Sequence, residues 1–191
     1  RQCLAHIDEL EAHRKEIESE ILQIAEPFSA VLDLLYTLPG LDKNPMTAIA
    51  ILSEIGPDMS VFPSSKHLVS WAGCCPRNDQ SNQKVKSRRI SRAGSYLKPL
   101  LVQVANALIR SKKHPEFKER YHRIKSRRGH KKAIIAVCKM LLTAIWNMLS
   151  KLEPYNPEGF LEHRPVKQEK TLTVSQALEL LRLRGYTITN Q

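Results

Sequence analysis

Aromatic side chains are scarce, at 6% of the 191 residues. That argues against recognition by rows of exposed rings stacking on bases, as in single-strand and RNA-binding sheets. Cysteine is sparse too, with Cys3, Cys74, Cys75 and Cys138 alone. None forms a CxxC pair and no His stands at a zinc-finger spacing, which argues against structural zinc. Adjacent Cys74 and Cys75 bridge each other poorly, so reduced thiols in a cytoplasmic protein are expected. No run of about 20 apolar residues is visible, so no membrane span is expected. No secretory signal is visible either. The chain opens at Arg1, inside a helical pattern and without an initiator Met. A fragment whose N-terminal part lies upstream is therefore expected.

Acid is nearly missing from one stretch. Residues 84–132 hold 17 of the 30 Lys and Arg residues but only Glu116 and Glu119 of the 19 acids. The stretch carries a formal +15, while the rest of the chain sits at −4. A protein needing only solubility mixes its charges. Concentrating one sign in one region builds a field that attracts a polyanion, of which nucleic acid is the commonest in a cell.

The length suits one domain with an appended element, and 42% hydrophobic content supports a real core. The pattern is mainly α. In residues 1–26, Cys3, Ile7, Leu10, Arg14, Ile17, Ile21 and Ile24 alternate at spacings of four and three. That is the seam of a coiled coil, and residues 1–34 read as a coiled-coil arm. Pro27 breaks or kinks it. An LPGL turn at 38–41 between two helical runs resembles a helix-hairpin-helix element. Such turns aim backbone N–H groups at a phosphate, but Asp42 replaces the usual second glycine, so a packing hairpin is an equal alternative.

Ser64 and Ser65 cap a helix carrying Leu68, Val69 and Trp71, and Gly73 ends it. Gln80-Ser81-Asn82-Gln83 reads as a polar loop, and 84–90 as a short strand or extended arm. Gly94 and Ser95 open a strong helix, broken at His114-Pro115. A basic helix follows over 116–125, then a core helix over 131–152. Trp71 and Trp146 fall on apolar faces and are expected in the core. Cys74 and Cys75 read as packing residues. Residues 153–170, with three prolines, read as a linker, and 171–191 as an appended helix.

Within 35–152, the ordered pieces TLPGL, TAIAILSEIG, VFPSSKHLVSWAGCCP, the QSN turn, KSRRISRAGSYLKPLLVQVANALI and KKAIIAVCKMLLTAIWNML resemble the C-terminal domain of "IS one-ten" family insertion-sequence transposases. These are understood as bridge-RNA-guided DNA recombinases. The resemblance implies a serine nucleophile in a helical domain, joined by a coiled coil to an N-terminal RuvC-like domain whose acids bind Mg²⁺. That first domain is expected upstream of this chain, and no cofactor is assigned to the chain itself. Implied partners are DNA, a guide RNA, and further copies of the chain through the coiled coil.

By position after Gly73-Cys74-Cys75-Pro76, Ser81 takes the serine role, with Asn82 where the family has glycine. Asn tolerates positive φ better than other non-glycine residues. Lys98 stands where the family has Arg, which keeps charge but loses the bidentate fork.

A serine hydroxyl attacks a phosphodiester only when activated and when charge on the phosphoryl oxygens is neutralised. Lys84, Lys86, Arg88, Arg89, Arg92 and Lys98 follow closely enough to surround a phosphate. Lys112, Lys113, Arg127, Arg128, Lys131 and Lys132 suit sequence-neutral backbone contacts. Ser87, Ser91 and Ser95 are chemically equivalent rivals to Ser81, Ser95 reading better as a helix N-terminal residue. His114, His122 and His130 stand at no metal-site spacing, and no general base is apparent. Two other classes remain open. One is a non-catalytic helical nucleic-acid-binding module. The other is a coiled-coil assembly domain whose charge is incidental.

Overall fold

A computed structural model describes residues 2–76, 79–81, 84–87, 90–158, 175, 179 and 182–184, with backbone alone at 79–81 and 84–87. It divides into two compact units, Arg1–Pro157 and Glu158–Gln191. Ser175, Glu179, Arg182 and Leu183 of the second unit are helical.

The first unit is mainly α. Helix α1 spans Gln2–Ala25, and a 3-10 turn at Glu26–Phe28 with Pro27 in its first turn leads to α2, Ser29–Tyr36. Proline has no N–H to donate, so the long helix ends where the sequence places it. Helices α3 (Pro45–Ile55) and α4 (Ser65–Trp71) follow. A two-stranded hairpin, β1 (Asp79–Ser81) and β2 (Lys84–Ser87), precedes α5 (Leu97–Arg110), α6 (Pro115–Arg128) and α7 (His130–Lys151).

Helix α7 is the spine. Its buried residues, from Ala133 and Ile134 to Met148 and Leu149, pack against α2, α4, α5 and α6. Leu35, Leu68, Leu97, Leu101 and Phe117 are fully buried around it. Each side chain of this size removes enough apolar area from water to contribute about 1.5–3 kcal/mol. Among the described residues, α7 alone has the length and apolar character to cross a membrane. The sequence pattern had suggested no such run. The helix earns that character as the element buried by its neighbours.

Helix α1 is the opposite case. Ile17 is 57% exposed and Ile24 74%, and Ala25 is its one buried residue. Arg14, the charged seam position, reaches Glu18 at 3.5 Å. The expected apolar seam is therefore present along the helix and uncovered within the chain.

The α2–α3 hairpin resolves the LPGL turn. Leu38 and Leu41 are buried, Gly40 has φ +89°, and the Gly40 N–H donates to Asp42 Oδ1 at 3.1 Å. A donor that could have faced a phosphate is already taken by a carboxylate, which favours the packing reading. Ser64 holds the N-cap position of α4, but its hydroxyl bonds His67 Nδ1 at 2.9 Å rather than a backbone N–H.

Two expectations are corrected. Trp71 is 45% exposed, standing edge-on to Phe62, because α4 turns its Leu68 and Val69 face inward instead. Trp146 is half-buried and donates to the Phe62 carbonyl at 3.0 Å. Helix α5 begins at Leu97, with Tyr96 at its N-cap, so Ser95 lies in the turn before the helix. At the other end of the unit, Tyr155 docks back on the body. Its N–H donates to Thr37 Oγ1 at 2.9 Å and its hydroxyl to Glu116 Oε1 at 3.1 Å.

Candidate functional site

Ser81 is the last residue of β1 and pairs with Lys84, the first of β2. Gln80 pairs with Val85, so the stretch expected as a loop is half ladder. The register shifts between Asp79 and Gln80, a bulge of the kind that re-aims a strand. Lys84 and Lys86 lie in β2, as the alternation at 84–90 suggested. Arg88, Arg89 and Asn82 lie outside the described residues, as do the side chains at 81, 84 and 86.

The feet of this hairpin are pinned by contacts between distant positions. Pro76 and Ile90 form an antiparallel bridge. Behind it, Gly73 (φ +66°) and Gly94 (φ +67°) let the two backbone segments meet closely. A Cβ on Gly94 would stand 2.4 Å from the Ala72 carbonyl oxygen, and one on Gly73 would stand 2.7 Å from the Ala93 oxygen. Only glycine combines that backbone with that proximity.

Lys98 closes the clamp. It is half-buried, its Nζ donates to the Ser91 carbonyl at 2.8 Å, and its backbone N–H donates to the Gly94 carbonyl at 2.9 Å. Its ammonium is therefore committed in part to the hairpin base, with further N–H donors left over. The Ser91 hydroxyl accepts from the Ala93 N–H at 3.2 Å, so this rival nucleophile serves the same turn. Arg92 beside it is exposed.

Below the hairpin base lie thiols. Burial pushes the Cys74 thiol up to about 11, partly offset by the Lys98 charge, and burial pushes Cys138 up to about 12. These are packing groups held in the neutral form, not thiolates ready for chemistry. Cys75 is half-buried.

The other cations lie on helical surfaces. Lys112 and Lys113 are exposed in the turn between α5 and α6. Arg127 and Arg128 are exposed in the last turn of α6, where cations favour the negative end of the helix dipole. Lys131 and Lys132 are the reverse. They occupy the first turn of α7 with no acid among them, behind an N-cap, Gly129, that offers no side chain. Cations at that end cost roughly 0.3–1 kcal/mol each, and the first N–H groups of the helix lack partners. A bound anion would relieve both. The elbow is held by Tyr121, whose hydroxyl lies 2.9 Å from His130 Nδ1.

Among the described residues no group of three His, Cys, Asp or Glu gathers to hold a metal. A hollow of about 380 Å³ lies at the α1–α2 junction, lined by residues including Leu22, Ala25, Leu32 and Tyr36. Its apolar lining suits packing more than phosphate chemistry. The glycine clamp had no signal in the sequence beyond two glycines read separately, as a helix stop and a helix start.

Residues 32–122 match the family model described as Transposase IS116/IS110/IS902 family. The pilin gene-inverting protein of Moraxella bovis is 30% identical over 125 residues, 64% of this chain and 38% of that protein. The pilin gene-inverting protein of Moraxella lacunata is 29% identical over 125 residues, with the same coverage. The chain thus spans 38% of the length of these curated relatives. No solved structure matches it. The chain is thus similar to transposases of the IS116/IS110/IS902 family over residues 32–122.

Proposed function

We propose that this chain is the serine-bearing part of a DNA recombinase of the insertion-sequence type, with Ser81 as nucleophile. The carrying observation is the hairpin itself. It lies inside the matched segment 32–122, ends its first strand at Ser81, and has both feet locked by Gly73, Gly94 and Lys98. A nucleophile that must meet a phosphorus atom in line gains most from such rigidity, because orientation supplies much of the rate.

In the proposed step Ser81 Oγ attacks a DNA phosphorus. A serine–phosphate ester forms and the bond to the 3′-oxygen breaks. The serine loses its proton and the 3′-oxygen gains one. One ester replaces another, so the reverse attack by a 3′-hydroxyl rejoins strands without a nucleotide cofactor. Arg88, Arg89 and Arg92 neutralise the phosphoryl oxygens, and Lys84, Lys86, Lys112, Lys113, Arg127, Arg128, Lys131 and Lys132 hold the flanking backbone. Lys98 acts mainly by holding the hairpin.

Mg²⁺ in this reading belongs to acids outside the chain. A guide RNA would choose the sequence by base pairing while the basic surfaces read backbone. Association through α1 would bring two serine sites together, supported by the uncovered Ile7, Leu10, Ile17 and Ile24.

The test is Ser81→Ala in the whole protein. DNA binding should persist while strand cleavage and the covalent protein–DNA adduct disappear. Cleavage at the unaltered rate would overturn the Ser81 assignment.

A further inference from the structure

Helix α6 carries a row of cations that the family resemblance did not single out. Arg120, Arg123 and Arg127 stand at i, i+3 and i+7 and are all exposed. At about 100° per residue these positions fall within roughly 60° of one another on the helix. They lie roughly a quarter-turn from the face carrying Phe117, Tyr121 and Ile124, of which the first two are buried. With about 1.5 Å of rise per residue, the row extends about 10 Å along the helix.

Solvation of an exposed face is the ordinary use of such residues, and it normally comes with acids at i±4. Helix α1 shows that arrangement in Arg14 and Glu18. Helix α6 has acids at that spacing, Glu116 before Arg120 and Glu119 before Arg123, but neither forms an ion pair with the row among the described residues. Glu116, one turn before Arg120, gives its carboxylate to the Tyr155 hydroxyl. Among the described residues none of the three guanidinium groups forms an ion pair. Partial burial holds Arg120 below its ordinary value, and the neighbouring Arg123 charge adds to that. Among the described residues the row therefore carries like charges side by side with no ion-paired acid.

We propose that Arg120 and Arg123 extend the backbone contact assigned to Arg127 into a phosphate-binding row that grips a nucleic-acid duplex beside the phosphate attacked at Ser81. The inference rests on the recombinase reading only for the presence of nucleic acid. Planar guanidinium forks suit the non-bridging oxygens of successive phosphates. Phosphodiester backbone is common to duplex DNA and duplex RNA. A duplex is favoured over a single strand because no Phe, Tyr or Trp ring of α6 is exposed to stack on bases.

The test compares the full chain with its Arg120→Gln/Arg123→Gln/Arg127→Gln variant. Each is titrated with a DNA duplex, an RNA duplex and a DNA single strand of equal length across a salt series. Three lost contacts should lower the slope of log affinity against log salt by about 2.7 on duplex DNA, at about 0.9 per phosphate. Loss on either duplex supports the row and says which backbone it takes. A slope unchanged on both duplexes, or an equal loss on the single strand, overturns it. So does a loss of about 1.8 from Lys118→Gln/Lys125→Gln on the other flank, the same roughly 0.9 per charge, since a diffuse field would then suffice. Should the triple variant fail to fold, Arg123→Gln alone should lower the slope by about 0.9. Ser81→Ala should leave every slope unchanged, so failure of the row and failure of the nucleophile are read separately.

Discussion

Replacing Gly94 by Ala tests the hairpin clamp directly. The added Cβ would lie 2.4 Å from the Ala72 oxygen and 3.0 Å from its carbonyl carbon. A relaxed carbon–oxygen contact lies near 3.3–3.6 Å, so one segment must retreat by about 1 Å. The obstacle is backbone, which cannot rotate away as a side chain would. Left-handed backbone costs an L-residue about 1–2 kcal/mol, and forced repacking adds about 1–3 kcal/mol. The expected total is about 2–5 kcal/mol.

Gly56→Ala is the control. Gly56 also has positive φ, at +74°, but nothing lies within 4 Å of its would-be Cβ. It should carry the backbone cost alone. Urea unfolding of both variants reads the difference, and Gly94→Ala should be the more damaging by at least about 1 kcal/mol. In the whole protein, an angstrom of displacement at Ser81 should also slow cleavage by about 100-fold while the salt slope of binding stays unchanged. If Gly94→Ala costs no more than Gly56→Ala, the clamp has been misread.

Three further outcomes follow from the same structure. Ile17→Glu should leave the melting of the helical body unchanged and shift a self-associated chain toward monomer in analytical ultracentrifugation, because Ile17 is uncovered within the chain; an unaltered chain that sediments as a monomer at micromolar concentration would remove the coiled-coil role. A thiol reagent at neutral pH should modify exposed Cys3 and spare buried Cys74 and Cys138 until the chain unfolds. Burial lets both thiols hold their protons longer in the fold, to about 11 and about 12, against an ordinary thiol value of 9.0. Their contribution to stability is thus complete below about pH 9 and declines as pH rises from there through those values. Alkaline unfolding that Cys138→Ala fails to blunt would contradict this.

Most of the helical layout was legible from local pattern. The alternating seam of α1, its interruption at Pro27, and the apolar periods of α5 and α7 all follow from contacts between residues three and four apart. The strand character of 84–87 was legible for the same reason at a period of two. The boundaries were less so. Helix α5 starts at Leu97 rather than at Gly94 because Gly94 is occupied in meeting Ala72, a demand invisible along the chain. Trp71 read as core because the apolar run of α4 has three candidates, and only packing decides which of them face inward.

The sequence alone determined that the chain is mainly helical, that its positive charge gathers in 84–132, and that a serine-bearing polar segment precedes that charge. These are properties of composition and short-range periodicity. Tertiary structure alone decided that Gly73 would meet Ala93 and Gly94 would meet Ala72, that Lys98 would spend a donor on Ser91, that Asp42 would claim the Gly40 N–H, and that Glu116 would turn to Tyr155. Such pairings depend on where the packed helices bring the chain in space. A repeat of two or 3.6 residues carries no record of that.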